Sequence, residues 1–216
     1  MSVVELLALA VAFAGPVDGI AFVQQIDPRP TARVEQSGSA NSATVSQSGG
    51  TSTADVKQSG VANRATVAQD GPQLRATLDQ SGFRNRATFV QEGAFLDATL
   101  SQRGADNVAI VSEAGRVNFI TAHQDGSANV YNAQQSGDHN VLTGDQLGSD
   151  NSSKIAQSGP SNDFASVQIG QGNQLEFTQA GSDIGRVMQQ GRGLVLSLAQ
   201  GTGAVPISVV QIGAGR

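Results

Sequence analysis

Gln36-Ser37-Gly38-Ser39-Ala40-Asn41-Ser42-Ala43-Thr44-Val45-Ser46 runs straight into Gln47-Ser48-Gly49, and this eleven-residue unit returns along most of the chain without a gap. With its glutamine as offset zero, the series continues through Gln58, Gln69, Gln80, Gln91, Gln102, Gln124, Gln135, Gln146, Gln157, Gln168 and Gln179. Glu113 fills the one slot that lacks glutamine. Glycine stands at offset two of every unit, as Gly38, Gly49, Gly60, Gly71, Gly82, Gly93 and Gly104, and onward to Gly181. A period held this long marks a repeat architecture, in which each unit leans on its neighbours.

Successive residues of a strand face opposite sides, so parity sorts each unit into two faces. Offsets seven and nine, from Ala43 and Val45 to Leu175 and Phe177, are uncharged in every unit although 14% of the chain is charged. They face a core. Most pairs join one large and one small residue, and the order reverses near Ile120, as a narrow core of constant width requires. The other parity carries Ser42, Thr44, Ser46, Arg64, Thr66, Arg75 and Asp97 and faces solvent. Between strands, Gln-x-Gly-x-x-Asn reads as a tight turn in which glycine takes a positive φ. Pro28, Pro72 and Pro160 all fall at offset three, in that turn, where no ladder hydrogen bond is lost.

A second period lies beneath the first. At offset five, Asn41, Asn63, Asn85 and Asn107 alternate with Ser52, Leu74 and Leu96, so two units make one 22-residue coil. The sequence therefore predicts an all-β fold: a β-solenoid of stacked 22-residue coils, two eleven-residue strand-turn units per coil, with two facing parallel sheets. Coils spaced about 4.8 Å apart, roughly 8.5 of them between Gln25 and Gln211, make a rod on the order of 40 Å long.

Stacking sets Gln36 under Gln58 and Gln58 under Gln80. A primary amide both donates and accepts, so identical amides one strand apart bond along the column, as in cross-β assemblies. Such ladders serve a single solenoid, or they continue across subunits, where open coil ends expose unpaired backbone and the ladder sets the register of an incoming chain. Glu113 breaks a column between Gln91 and Gln135, because an ionised carboxylate accepts but cannot donate. Its coil is expected to be the weakest above acidic pH.

Four segments follow: residues 1–21 as a signal peptide or apolar N-terminal segment, 22–35 as an irregular lead-in, 36–181 as the repeat solenoid, and 182–216 as phase-shifted, more apolar terminal coils. Leu6 to Ala14 is too short to span a bilayer but has the length of a signal-peptide core, and Ala12 and Ala14 supply a small-x-small signal before Gly15. The front end, Met1-Ser2-Val3-Val4-Glu5, lacks the usual Lys or Arg; a first strand is the other reading. After Gln179 the frame loses one residue, giving Gln189, Gln200 and Gln211. In that frame Leu194, Leu196 and Leu198, then Val205, Ile207 and Val209, point inward, with Val195 and Val210 outward and Pro206 mid-strand. Two apolar faces suit contact with another subunit or an assembly factor, or a plug closing the rod.

Composition removes other classes. The chain has no Cys, no Trp and 4% aromatics, which fits a thin solenoid without disulfides or zinc thiolates. A net charge of −5 argues against a general nucleic-acid role. The two histidines, His123 and His139, form no metal constellation, and no catalytic triad, phosphate-binding loop or zinc motif is present. No enzymatic activity, metal or cofactor is expected. Arg64 and Arg86 stack one coil apart and make a small basic strip, either a solvated face or a seat for a polysaccharide or phosphate.

Gln-x-Gly-x-x-Asn-x-Ala-x-x-x-Gln resembles the repeat of the curlin family, the subunits of curli amyloid fibres. Gln36-Gly38-Asn41-Ala43-Gln47, Gln58-Gly60-Asn63-Ala65-Gln69 and Gln80-Gly82-Asn85-Ala87-Gln91 match it in full. Units after Glu113 lose the alanine at offset seven. The resemblance implies secretion through the outer membrane with dedicated assembly factors, and polymerisation at the bacterial cell surface. It implies partners of the same kind, namely copies of the chain and a second curlin-type subunit, and roles in biofilm matrix and adhesion. Asn63-Arg64-Ala65 and Asn85-Arg86-Ala87 resemble the minor, nucleating subunit. No transmembrane segment and no specific nucleic-acid partner are expected. The competing function is a non-polymerising β-solenoid adhesin that binds ice or glycan through Thr44, Thr66 and Thr88. Ser42, Arg64 and Arg86 break the second threonine column that an ice-binding face needs.

Overall fold

The computed structural model describes residues 9–14, 19–26 and 29–213. It begins with β1 (Leu9–Ala14), β2 (Ile20–Gln25), β3 (Thr31–Ser39), β4 (Ser42–Ser48), β5 (Thr53–Val61) and β6 (Arg64–Asp70). The middle coils are β7 (Arg75–Phe83), β8 (Arg86–Ala94), β9 (Asp97–Ala105), β10 (Val108–Arg116), β11 (Phe119–Ser127), β12 (Val130–Asp138) and β13 (Val141–Ser149). The last are β14 (Ser152–Ser158), β15 (Asp163–Gln171), β16 (Gln174–Ala180), β17 (Ile184–Arg192), β18 (Val195–Gln200) and β19 (Ile207–Ile212). The ten odd strands form one parallel sheet and the nine even strands another, each strand pairing with the one two places along. This is the expected β-solenoid, and the described residues contain no helix.

Register follows the 22-residue period: Gln36 lies against Gln58 and Gln58 against Gln80. The lost residue after Gln179 is absorbed at a corner, since Gln168 pairs with Gln189 while both flanking strands stay aligned. Core side chains at offsets seven and nine are almost wholly buried, from Ala32 and Val34 to Phe177. Large residues meet small ones across the core. A Cβ on Gly144 would lie 2.2 Å from the Tyr131 hydroxyl, so the ring fills the space that the glycine leaves. Phe164 and Phe177 stack with ring centroids 4.0 Å apart.

Corners use two left-handed residues. Gly60 has φ 103° and Ala62, two places on, has φ 60°. Among the described residues the second position is occupied by non-glycine residues in eleven corners, Arg84 and Phe95 being two of them. Each such residue costs on the order of 1–2 kcal/mol in isolation. Stacking offsets that cost, because the strained N–H donates to the corner before it, as Ala62 does to Ser39 O at 3.0 Å.

Three expectations are corrected. The lead-in over 22–35 is strand in most of its described residues: β2 and β3 continue the inward columns with Ala21, Val23, Ala32 and Val34, and β2 pairs with β4 in register, while residues 27–28 lie outside the described residues. Val205 does not point inward but is 79% exposed, in a loop that turns at Gly201–Gly203. Pro206 accordingly precedes β19 and does not interrupt it, since a residue without N–H sits at a strand's start and not within its ladder. Leu194, Leu196, Leu198, Ile207 and Val209 are half-buried, as terminal coils with fewer neighbours must be. Of the N-terminal segment, residues 1–8 and 15–18 lie outside the described residues; Leu9–Ala14 forms β1, paired with β3.

Candidate functional site

Offset eleven points inward at the end of each strand, which brings every glutamine of one sheet into a single column. In the odd sheet Gln36 Nε2 donates to Gln58 Oε1 at 2.7 Å, and the chain of bonds runs through Gln80, Gln102, Gln124, Gln146, Gln168 and Gln189 to Gln211. In the even sheet Gln25 donates to Gln47, and Gln69 and Gln91 follow. The other amide hydrogen closes onto backbone, as from Gln58 to Ser42 O at 3.1 Å. One side chain thus ties two successive coils and both sheets.

Asparagines form a second kind of ladder, of opposite sense. Asn63 donates back to Asn41 Oδ1 from both its backbone N and its Nδ2, and Asn85 and Asn107 repeat this. The side chain also holds the corner, with Asn63 Nδ2 on Ser59 O and Gly82 O. The column extends beyond the expected residues to Asn129, Asn151 and Asn173. The opposite corner carries its own column, Asn118, Asn140 and Asn162. Its signal was present at offset five, hidden because earlier units of that corner hold Ser52, Leu74 and Leu96. Asp183 takes the next slot, buried, with both carboxylate oxygens unpartnered.

Glu113 lies in the even column, 1% exposed. It accepts from Gln91 Nε2 at 2.7 Å through Oε2. Its Oε1 has no partner, and neither has Oε1 of Gln135 in the next coil. Burial pushes the carboxyl up to about 8, against the Gln91 hydrogen bond, which lowers it, and with Asp97 nearby adding to the rise. The gap in the ladder is therefore one proton wide: a protonated Glu113 supplies the donor that Gln135 lacks. The loss of stability expected above acidic pH then accrues between the ordinary glutamate value of 4.5 and about 8.

The outer faces hold the remaining candidates. Arg64 and Arg86 are cross-strand neighbours, as the spacing implied. His123 pairs with Asp145 at 3.1 Å on the outer face, and the described residues contain no cluster of three metal-ligating side chains. Thr44, Thr66 and Thr88 stack on the even sheet. A longer stack on the odd sheet, Thr77, Thr99, Thr121 and Thr143, was not singled out from sequence although its 22-residue spacing is plain.

The family model of the curlin associated repeat matches residues 31–60. No curated protein matches the chain. The matched stretch spans β3, β4 and most of β5, and the same register and the same ladders continue from it through the later coils, so the likeness to the curlin associated repeat rests on two to three strands of a uniform solenoid.

Proposed function

We propose that this chain is a secreted subunit that self-assembles into curli-like extracellular amyloid fibres, serving biofilm matrix and surface adhesion. The supporting observation is that, among the described residues, both sheets end in strands with an unpaired outer side, β2 at one end and β18 and β19 at the other, each bearing a ladder glutamine. An open edge in amide register is a template for another chain. Partners are copies of itself, a second curlin-type subunit, and outer-membrane secretion and assembly factors; the apolar run ending at Ala14 serves as the export signal. Purified chain is expected to form fibres that bind thioflavin, grow with concentration and shorten the lag when added as seeds. A soluble, unassociated rod at all concentrations removes the reading. The threonine stack from Thr77 to Thr143 favours a second one, a glycan- or ice-binding rod, although Arg75, Asp97, Phe119 and Val141 beside it deny it a matching column.

A further inference from the structure

The two ends of the rod differ in strand count. Among the described residues, β18 and β19 at one end are both free on their outer sides. At the other, β2 is free but β3 is covered by β1. When one rod stacks on another, both sheets advance by the same distance. With β1 in place, β19 of an incoming copy reaches β1, while its β18 stops one strand short of β2. The even sheet is left with an empty slot whose walls carry unpaired N–H and C=O groups. Without β1, β19 meets β3 and β18 meets β2, and both sheets close together.

The amides single out the same place. Gln36 Oε1 is buried and accepts no hydrogen bond, whereas each later glutamine of its column accepts from the one before. The residue aligned with Gln36 on β1 is Phe13, a residue type with no donor to offer. At the far end Gln211 accepts from Gln189, and its Nε2 donates to Val195 O with no further glutamine above it. Both β1 and β19 have six residues. Setting Gln211 on Gln36 puts Ile207 on Ala32, Val209 on Val34 and Ile212 on Ser37, the same six partners that β1 holds. In the even sheet Gln200 then falls on Gln25 and Val195 on Ile20, two residues that are 63% and 67% exposed in the single rod.

We propose that β1 is a removable cover on the docking edge of β3, and that the strand it holds off is β19 of a second copy, whose Gln211 donates to Gln36. This role presupposes the fibre function proposed above. The small-x-small signal at Ala12 and Ala14 falls at the end of β1, so cleavage there leaves β2 to β19, nine whole coils with matching ends.

The chain has no cysteine, so a lock can be introduced in the full-length protein. Ala12 and Glu35 are register partners, and neighbouring strands about 4.8 Å apart fall within disulfide reach. The variant A12C/E35C, checked for its β circular dichroism, is expected not to extend fibre seeds when oxidised. Reduction is expected to restore extension with a lag at least about tenfold shorter. A second variant, Phe13→Gln, offers Gln36 a donor and tightens the cover without a covalent bond; its lag is expected to lengthen several-fold. Equal extension by the oxidised and reduced lock, or a lag unchanged by Phe13→Gln, overturns the cover while leaving fibre formation intact. Absence of fibres from the parent chain under every condition overturns the fibre function itself, and the cover with it.

Discussion

Single side chains matter here according to what stacks directly on them. Glu113 holds its proton up to about pH 8 when folded, against 4.5 for an ordinary glutamate. Unfolding therefore releases a proton between those values, and stability falls as pH rises through that window, levelling off on either side. Glu113→Gln is expected to remove this slope. It should stabilise the rod by a few kcal/mol at pH 8–9 and by nothing measurable below pH 4, read from urea midpoints of the unassembled chain. Equal midpoints at pH 9 would count against the buried, one-proton gap. Gly60 gives a second test. A Cβ there would lie 2.1 Å from Gly82 O at φ 103°, whereas Gly172, at φ 67°, has nothing within 4 Å. Gly60→Ala should cost at least about 2–3 kcal/mol, and Gly172→Ala about 1 kcal/mol, the ordinary left-handed penalty.

At the scale of the strand and its corner, the core is a sum of pairs and not a shared interior. Tyr131 on β12 is accommodated because β13 offers Gly144. Its hydroxyl is buried without a partner, and burial drives its ionisation far above the ordinary tyrosine range. Gly144→Ala should force the ring aside and destabilise these coils by about 1–3 kcal/mol, the usual cost of overpacking. Hydrogen exchange is expected to localise the loss to β12 and β13 and their neighbours, since repeats couple mainly to the next repeat. Uniform loss of protection along the rod would contradict that picture. The core pairing was legible in the large-small alternation of offsets seven and nine. The left-handed residues at offset four were not, because positions held by Ala40, Arg84, Phe95 and Val117 share no side-chain chemistry; only the backbone of the preceding coil makes them tolerable.

At the scale of the whole rod, strand number decides how copies meet. A chain ending after Gly181 loses β17 to β19, an odd number, and its two sheets no longer end in step with β2 and β3. A chain ending after Gly172 loses β16 to β19, an even number, and puts Gln168 where Gln211 stands in the full protein. Once residues 1–14 are removed from both, the shorter chain is expected to assemble faster than the longer one, measured as thioflavin lag at equal concentration. Equal lags would make the last coils a simple plug, the alternative for their apolar faces.

The sequence alone determined the period, the two parallel sheets, the inward columns and most of the amide ladders, because each of these repeats one residue type at one slot and needs no knowledge of its surroundings. Tertiary structure alone decided the exceptions. It turned most of the supposed lead-in into β2 and β3, put Val205 outside, raised the carboxyl of Glu113 to about 8, and left Gln36 Oε1 buried without a hydrogen-bond donor. These lie at ends or breaks of the repeat, where the energy of a residue depends on what is stacked above and below it, and periodicity stops carrying that information.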